Sequence, residues 1–444
     1  MDILVKVLQF LLSLSLLVML HEAGHFIMAK MFKTRVEKFY IFFNPWFSLF
    51  KFKKGETEYG VGWIPLGGYV KIAGMIDESM DLEQMKQPAQ PYEFRSKPAW
   101  QRMLIMLGGV LVNFILAFVI YIGVLFTWGE TYLPAENVKY GVVCDSLFYN
   151  VGLRNGDIIV SLDNKKVDRF SDILSTILLD GSKTMQVRRD GQMVNIDLPE
   201  SLVKELLLAS SKGYNQAPPL SPRYRYDGKI LDFPEVSAAR DAGIQKGDRM
   251  LTIDGHTFTY YDEYLALIRE RKGSDLQTTI LRGRDTLYVT IPVSTDGFIG
   301  VYPELKNDFE FAVKYYSFFE AIPAGIERGF DQMGAYFKQF KLFKNPEALR
   351  SVGSFLTIGN IFPGVWDWEA FWNLTAFLSI VLAIMNLLPI PALDGGHVLF
   401  LLYEVITRRK PSEKFLEKAQ MVGMVFLLLL MALAFGNDIL KLFY

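Results

Sequence analysis

The spacing of long apolar runs constrains this 444-residue chain more than any other feature. One run lies near the N-terminus, a second covers 103–128, a third covers 371–406, and a shorter fourth covers 421–435. No run long enough to cross a bilayer occurs between 129 and 301. The pattern predicts a polytopic α-helical membrane protein with four transmembrane helices and a soluble insert between the second and the third.

The overall composition supports this class and excludes others. Hydrophobic residues make up 51% of the chain, which is high for a soluble protein, so we expect the lipid bilayer as a partner. The formal net charge of -1 argues against a nucleic-acid partner, which would require a basic face. Cys144 is the single cysteine, so the chain has no internal disulfide and no cysteine-based zinc ribbon.

The first apolar run ends in the pentad His21-Glu22-Ala23-Gly24-His25. Read as a helix, the pentad puts His21 and His25 on one face with Glu22 beside them, which is the pattern of a zinc hydrolase. The alternative is a pair of packed, hydrogen-bonded histidines without a metal. It is the weaker reading, because such polar groups are costly in an apolar helix without a functional reason. No small-residue cleavage site follows the run, so we expect a retained transmembrane helix rather than a signal peptide.

Helix-disrupting residues interrupt the third apolar run: Pro389, Pro391, Gly395 and Gly396. Backbone groups freed at membrane depth are tolerated only where protein covers them or where they line a wet cavity. An aspartate in such a segment is a functional-site hypothesis by default. A catalytic zinc usually takes three protein ligands. Asp394 is the best candidate for the third, and His397 is the alternative.

Two β-prone stretches lie between the first two apolar runs, on either side of residues 65–68. This arrangement predicts a membrane-associated β-hairpin with its turn at 65–68. Gly60 and Gly62 on one arm, and Gly67 and Gly68 at the turn, permit the close approach of another backbone. The hairpin is either an ordinary surface feature or an edge that pairs with an extended substrate. The residues alone leave both interpretations open.

The soluble insert contains an internal repeat. Residues 152–163 match residues 243–254 in a Gly-Leu/Ile-x-x-Gly-Asp pattern, with an offset of 243 minus 152, or 91 residues. Both copies resemble bacterial PDZ domains, whose groove takes up a peptide by strand addition. The segment 140–143 is the candidate peptide-binding loop of the first copy. We therefore expect peptide termini as partners of a pair of PDZ-like α+β domains.

The remaining features complete the domain organisation. Gly108, Gly109 and Asn113 in the second run are expected to serve helix packing and hydrogen bonding rather than catalysis. An aromatic amphipathic stretch near 311–343 lies either at the membrane surface or against the soluble domain. The predicted divisions are a membrane core with two transmembrane helices and the hairpin (1–128), PDZ-like domains (129–215 and 216–306), an interfacial segment (307–370) and a second membrane core with the third and fourth helices (371–444).

The basic residues predict the orientation. They are concentrated in 30–102 and in 408–418, and short basic loops are cytoplasmic. The pentad then lies toward the cytoplasmic side of a bacterial inner membrane, and the PDZ-like pair is periplasmic or extracytoplasmic.

Three features resemble the site-2 protease family of intramembrane zinc metalloproteases, in the bacterial branch with tandem PDZ domains that acts in envelope-stress signalling. They are, in chain order, the pentad 21–25, the segment 65–71, and Asn386-x-x-Pro389-x-Pro391-x-Leu393-Asp394-Gly395-Gly396-His397. The resemblance covers nearly the whole chain. It implies an endopeptidase of regulated intramembrane proteolysis that cleaves within or near transmembrane segments of single-pass membrane proteins, such as anti-sigma factors or signal-peptide remnants.

The resemblance also implies roles for individual residues. His21, His25 and Asp394 would bind Zn²⁺, and Glu22 would be the general base. Further residues would contact the substrate backbone: Asn386, Pro389 and Pro391, together with the hairpin residues Gly60, Gly62, Gly67 and Gly68. The hairpin would pair with a substrate segment unwound from its helix, since a helix hides its peptide carbonyls in its own hydrogen bonds.

Two other functions compete with proteolysis. A membrane-anchored PDZ peptide-binding scaffold would use the metal only as a structural clamp, but a structural site has no need for Glu22 beside its ligands. A zinc transporter would need acidic and histidine residues along several spans, and they do not recur in this way.

Overall fold

The computed structural model describes residues 2–75, 88–210, 218–306, 308–342 and 355–443. The helices are α1 Asp2–Met31, α2 Ala99–Thr127, α3 Ser146–Asn150, α4 Asp172–Ser175, α5 Glu200–Ser210, α6 Ala238–Asp241, α7 Tyr261–Glu270, α8 Phe318–Leu342, α9 Phe355–Ile361, α10 Trp368–Leu387, α11 Asp394–Thr407 and α12 Glu413–Phe443. The strands are β1 Val36–Phe43, β2 Phe50–Lys54, β3 Thr57–Val61, β4 Ile64–Ile72, β5 Glu130–Tyr132, β6 Val142–Cys144, β7 Ile158–Leu162, β8 Lys165–Lys166, β9 Thr184–Arg189, β10 Gln192–Asp197, β11 Leu220–Pro222, β12 Ile230–Asp232, β13 Arg249–Ile253, β14 Asp275–Arg282, β15 Asp285–Pro292, β16 Tyr302–Pro303 and β17 Ala312–Lys314.

The chain forms two compact units. The described parts of 1–130 and 314–444 make up the first, called here the membrane unit. The described parts of 131–210 and 214–313 make up the second, called here the repeat unit. The five-part division of the sequence stays a prediction, and its boundary between the two PDZ-like domains lies outside the described residues.

The membrane unit contains the apolar helices. Among the described residues, four helices are long and apolar enough to cross a membrane: α1, α2, α10 and the 414–439 part of α12. At most 44% of the most apolar window in any of them is buried within the protein, so the rest is available to lipid. The protein is therefore a membrane protein, with candidate spans where the sequence predicts them.

Glycines allow the helices of the membrane unit to approach closely. Gly24 of α1 lies directly against the backbone of Gly108 in α2, leaving no room for a side chain. Gly325 of α8 lies in the same way against Ile122 of α2, where a Cβ would come within 2.7 Å of the Ile122 nitrogen. Helix α8 therefore packs on α2 within the membrane unit. The part of the predicted interfacial segment at 343–354 lies outside the described residues.

A four-stranded sheet in the membrane unit has the order β2-β3-β1-β4. Strand β1 pairs in parallel with β3 and antiparallel with β4. The predicted hairpin with its turn at 65–68 is therefore wrong, because β1 lies between its two arms and residues 65–68 belong to β4. The tight turn instead joins β2 to β3 near Gly55, whose φ is +64°. Among the described strands, β2 and β4 are the two edges of this sheet.

The predicted break in the third apolar run is confirmed. Helix α10 ends at Leu387 and α11 begins at Asp394. Gly396 lies against the carbonyl of Ile390 in the connecting turn, where a Cβ would come within 2.5 Å of the oxygen. Gly423 of α12 packs against Pro391 from the other side. The proline turn is thus enclosed by two glycine contacts, which fix the point where α11 starts.

The repeat unit has two hydrophobic cores, one for each copy of the repeat. Leu153 lies in the first core and Ile244 in the second, at the same position of the repeat, and they are 0% and 2% exposed. In each copy the strand before the repeat pattern pairs with the last strand of that copy: β6 with β11, and β12 with β16. The sequence repeat therefore corresponds to a repeated structure.

Candidate metal centre

A cavity of about 580 Å³ lies in the membrane unit, lined by parts of α1, α2, α10, α11 and β4. His21, Glu22 and His25 of α1 form part of its wall. Asn386 in the last turn of α10 and Asp394 in the first turn of α11 form another part. Residues singled out near both ends of the sequence therefore line one cavity.

The three candidate ligand atoms converge on one point. His21 Nε2 lies 3.0 Å from Asp394 Oδ2 and 3.2 Å from His25 Nε2. His25 Nε2 lies 3.3 Å from the same carboxylate oxygen. The two histidines are only 6% and 5% exposed. Among the described residues, this is the one group of three or more histidine, cysteine or acidic side chains close enough to hold a metal ion.

The chemistry of this donor set fits a zinc ion. Tetrahedral zinc binds nitrogen and oxygen at about 2.0–2.2 Å, so its ligand atoms lie roughly 3.3–3.5 Å apart, close to the spacing of the three atoms here. Among the described residues, Asp394 has no arginine or lysine partner. Two imidazoles protonated on Nδ1 would present only lone pairs to its carboxylate. A cation at the centre removes that repulsion and compensates for the buried charge.

Helix α2 supports both imidazoles from behind. His25 Nδ1 lies 2.8 Å from the carbonyl oxygen of Ile105, and His21 Nδ1 lies 3.2 Å from the side-chain amide of Asn113. A Cβ at Gly109 would come within 2.6 Å of His21 Cε1 and of His25 Nε2. Sequence reasoning missed these ring contacts. The available signal was the spacing of 105, 109 and 113, which places them on one face of a helix.

The other predicted polar residues take different places around the cavity. Glu22 is close enough to His25 for an electrostatic interaction. Asn386 Nδ2 lies 3.4 Å from His21 Nε2, next to the candidate ligand atoms. His397 lines the cavity and also a neighbouring one of about 130 Å³, but it is not part of the three-atom group.

The predicted substrate-contact residues separate into two groups. Strand β4 lines the cavity from Gly68 to Ile72, whereas Gly67 packs against the ring of Phe43. Gly60 is in β3, which is paired on both sides, so the structure does not bring it to a free edge.

Three predicted substrate contacts pack within the fold instead: Gly62, Pro389 and Pro391. Gly62 follows β3 and lies against the carbonyl of Phe43. Pro389 and Pro391 belong to the turn between α10 and α11 and do not line the larger cavity.

Comparisons with known proteins agree along almost the whole chain. The model of peptidase family M50 matches residues 9–430. The chain is 29% identical to the regulator of sigma-E protease RseP of Escherichia coli, over 98% of both chains. It is 28% identical to a Neisseria meningitidis protein named "Putative zinc metalloprotease", over 98% of this chain and 99% of that one. A solved PDZ domain of an SdrC-like protein from Listeria monocytogenes matches 19% of this chain and 92% of its own, with 23% identity and a TM-score of 0.17.

Proposed function

The chain belongs to peptidase family M50 and is an intramembrane zinc metalloprotease of the site-2 protease type, and we propose that His21, His25 and Asp394 hold the zinc while Glu22 is the general base. The observation that carries this assignment is the convergence of His21 Nε2, His25 Nε2 and Asp394 Oδ2 within 3.0–3.3 Å of one another. Because the third residue comes from a helix far along the chain, the fold and not the motif alone supports the ligand set.

The side chains around the cavity supply the proton transfers. Zinc, when bound, acidifies a water molecule and polarises the peptide carbonyl. Glu22 accepts the proton of that water and passes it to the leaving amine. Asn386, beside His21, has an amide that can hydrogen bond the substrate backbone near the reacting carbonyl.

Strand β4 is the proposed substrate-binding edge. It is an edge of the sheet, and its Gly68–Ile72 part lines the cavity. An extended substrate can add to such an edge through main-chain hydrogen bonds, which expose its peptide carbonyls to attack. This position supports Gly68 as a substrate-side residue, since it belongs to the part of β4 that lines the cavity. Gly67 packs against Phe43 and would act only through the backbone shape that its φ of +149° allows. The position of β4 gives no support to Gly60 or Gly62, and Pro389 and Pro391 act only through the turn that positions Asp394.

Single-pass membrane proteins are the proposed substrates, and the bilayer is the medium in which they reach the site. The basic character of 30–102 and 408–418 supports a site facing the cytoplasmic side of a bacterial inner membrane. The repeat unit would then lie outside the cytoplasm.

The two repeats are proposed PDZ-like domains that bind peptide termini. Strand β11 pairs with β6 on one side, and among the described residues no strand covers its other edge. The same holds for β16, which pairs with β12. Each copy thus offers an edge for strand addition. The pair would admit substrates only after their outer domain has been trimmed. Deleting 135–300 should then allow cleavage of untrimmed substrates, and unchanged cleavage of both trimmed and untrimmed forms would contradict the filter.

The variant Glu22→Gln tests the proposed mechanism. It removes the base and leaves the zinc ligands, so we expect normal zinc content and a loss of cleavage of a model transmembrane substrate by roughly 10²–10⁴-fold. Glu327→Gln, at an exposed glutamate of α8, is the matched control and should cleave normally. Undiminished cleavage by Glu22→Gln with full zinc would rule out Glu22 as the base.

A further inference from the structure

Helix α2 contacts the Nδ1 atoms of both histidines among the candidate zinc ligands. The carbonyl oxygen of Ile105 accepts a hydrogen bond from His25 Nδ1, at 2.8 Å. That bond fixes the proton of His25 on Nδ1 and leaves Nε2 as a lone pair for the metal. Two turns further along the same helix, the side chain of Asn113 stands at the corresponding place behind His21. The two rings therefore have equivalent supports, one from a backbone carbonyl and one from a side chain.

A buried asparagine at position 113 lowers the stability of the fold unless its side chain supports the His21 ring in this way. It is 0% exposed in a transmembrane helix, and its Oδ1 atom has no hydrogen-bond partner among the described residues. A buried polar atom without a partner costs about 1–3 kcal/mol, which a leucine at this position would not incur. A half-turn of the carboxamide exchanges its oxygen and nitrogen without changing its shape, so either end can face the ring while the other lies unpartnered.

The tautomer of His21 decides which end faces the ring. A donating amide N–H would require a bare Nδ1 and place the ring proton on Nε2, where it would point at Asp394 and block ligation. An accepting amide oxygen holds the proton on Nδ1 and leaves Nε2 free. Gly109 of the same helix lies directly against the His21 ring. That packing contact adds to the support from α2.

We propose that the side-chain oxygen of Asn113 accepts a hydrogen bond from His21 Nδ1–H and that Asn113 is thereby the positioning residue for this zinc ligand. The inference rests on the proposed role of His21 as a ligand. It assigns Asn113 no contact with the substrate. Its effect is on the tautomer and orientation of His21, so it acts on zinc affinity before it acts on cleavage.

Zinc affinity of the full-length protein, measured by competition with a chelator, provides the test. Asn113→Leu keeps the size of the side chain but removes the acceptor, and should lower zinc affinity by about 10–100-fold. Asn113→Asp retains an acceptor and no donor, and should bind zinc close to the wild-type affinity. Asn373→Leu is the matched control, because Asn373 of α10 also has an unpartnered buried Oδ1 and does not contact either histidine in the described structure. It should leave zinc affinity unchanged.

The zinc affinities of the two Asn113 variants can each contradict the proposed role of the Asn113 oxygen. Unchanged zinc affinity in Asn113→Leu would overturn it, and so would a loss in Asn113→Asp as large as in Asn113→Leu, which would point to a donor. If Asn113→Leu does not fold, the ¹⁵N spectrum of the wild-type zinc-loaded protein decides instead: a protonated Nδ1 on His21 is expected, and a protonated Nε2 would overturn the proposal. His21→Ala separates the two hypotheses, because retention of zinc in that variant would refute the proposed ligand set itself.

Discussion

Two buried aspartates of the repeat unit and one half-buried aspartate of the membrane unit differ in the side chains that face their carboxylates. Asp157 and Asp248 are 1% and 2% exposed, and each accepts two hydrogen bonds from one arginine, Arg189 or Arg282, at 2.6–2.9 Å. Asp394 faces two imidazoles instead. The arginine pairs balance their carboxylates within the protein, whereas the membrane unit directs a carboxylate and two imidazole nitrogens at one point. The difference distinguishes the structural carboxylates from the proposed metal-binding one.

The structural pair is itself repeated. The backbone N–H of Arg154 donates to Asp157, and that of Gln245 donates to Asp248, both at 2.8 Å. Each arginine also donates to a carbonyl oxygen of the repeat's first glycine, Gly152 or Gly243, at 2.7 Å. The aspartate of the Gly-Asp pattern therefore pairs with an arginine in each copy, and this pair stabilises the copy.

Replacing Asp394, the proposed metal-binding aspartate, should have the largest effect. Asp394→Asn removes the one charged group among the three proposed ligands, and we expect zinc affinity to fall by more than about 100-fold and cleavage to be lost with it. Zinc content and cleavage of a model transmembrane substrate measure the two effects. The repeat unit should show unchanged hydrogen exchange in the same variant. Normal zinc content in Asp394→Asn would show that the third ligand is a residue other than Asp394.

Filling the space behind the rings should have the next largest effect. Gly109→Ala would put a Cβ within 2.6 Å of both imidazoles, so the rings must move and zinc affinity should fall roughly tenfold or more. Gly123→Ala in the same helix has open space around it and is the control. Chelator competition on both variants gives the comparison, and equal affinities would show that the α2 backbone does not set the ring positions.

Replacing a structural aspartate should have a local effect. Asp248→Asn leaves Arg282 without its charged partner, so amide exchange in β13 and β14 should become roughly tenfold faster, or more. Zinc content should stay normal, in contrast to Asp394→Asn. Zinc loss in Asp248→Asn, measured alongside the exchange, would contradict the division into a structural and a metal-binding carboxylate.

Acid should have the smallest effect, a weakening of the second repeat. Burial alone would raise the pKa of Asp248, but hydrogen bonds from Arg282 and the Gln245 N–H hold it below its usual range. Burial would also raise the pKa of Asp254, but hydrogen bonds from the Gln277 N–H and from Arg271 hold it below its usual range. A carboxyl whose folded pKa is lowered stabilises the fold fully above its unfolded pKa of about 3.9, and this contribution is lost as the pH falls further and through the folded pKa.

Hydrogen exchange in β13 and β14, corrected for the intrinsic pH dependence of exchange, measures this acid effect. Protection should be constant from about pH 7 to 5 and decline below about pH 4. A decline that begins above pH 5 would show that other groups control the stability of this repeat.

The sequence was informative where chemistry or periodicity is local. The pentad, the proline break before Asp394 and the repeat around Asp157 and Asp248 can all be recognised within short stretches. A zinc ion needs a third ligand, and that requirement alone connects α1 with α11 across most of the chain.

Long-range strand pairing could not be predicted in this way. Nothing local in β1 shows that it inserts between β3 and β4, so the sequence around 65–68 predicts a hairpin that the fold does not contain. The role of Gly109 likewise depends on another helix passing over it, and a glycine in an apolar run has many possible reasons. Both contacts join segments that are not adjacent in the sequence, so neither can be identified from a short stretch.

The most direct test of the central claim is zinc K-edge X-ray absorption of the full-length protein in detergent, with Asp394→Asn beside it. The proposed ligand set predicts one zinc per chain with two imidazole nitrogens, oxygen for the remaining ligands and no sulfur, at about 2.0–2.2 Å. Asp394→Asn should lose this signal. A zinc bound with fewer than two imidazoles, or an unchanged spectrum in Asp394→Asn, would contradict the assignment of His21, His25 and Asp394.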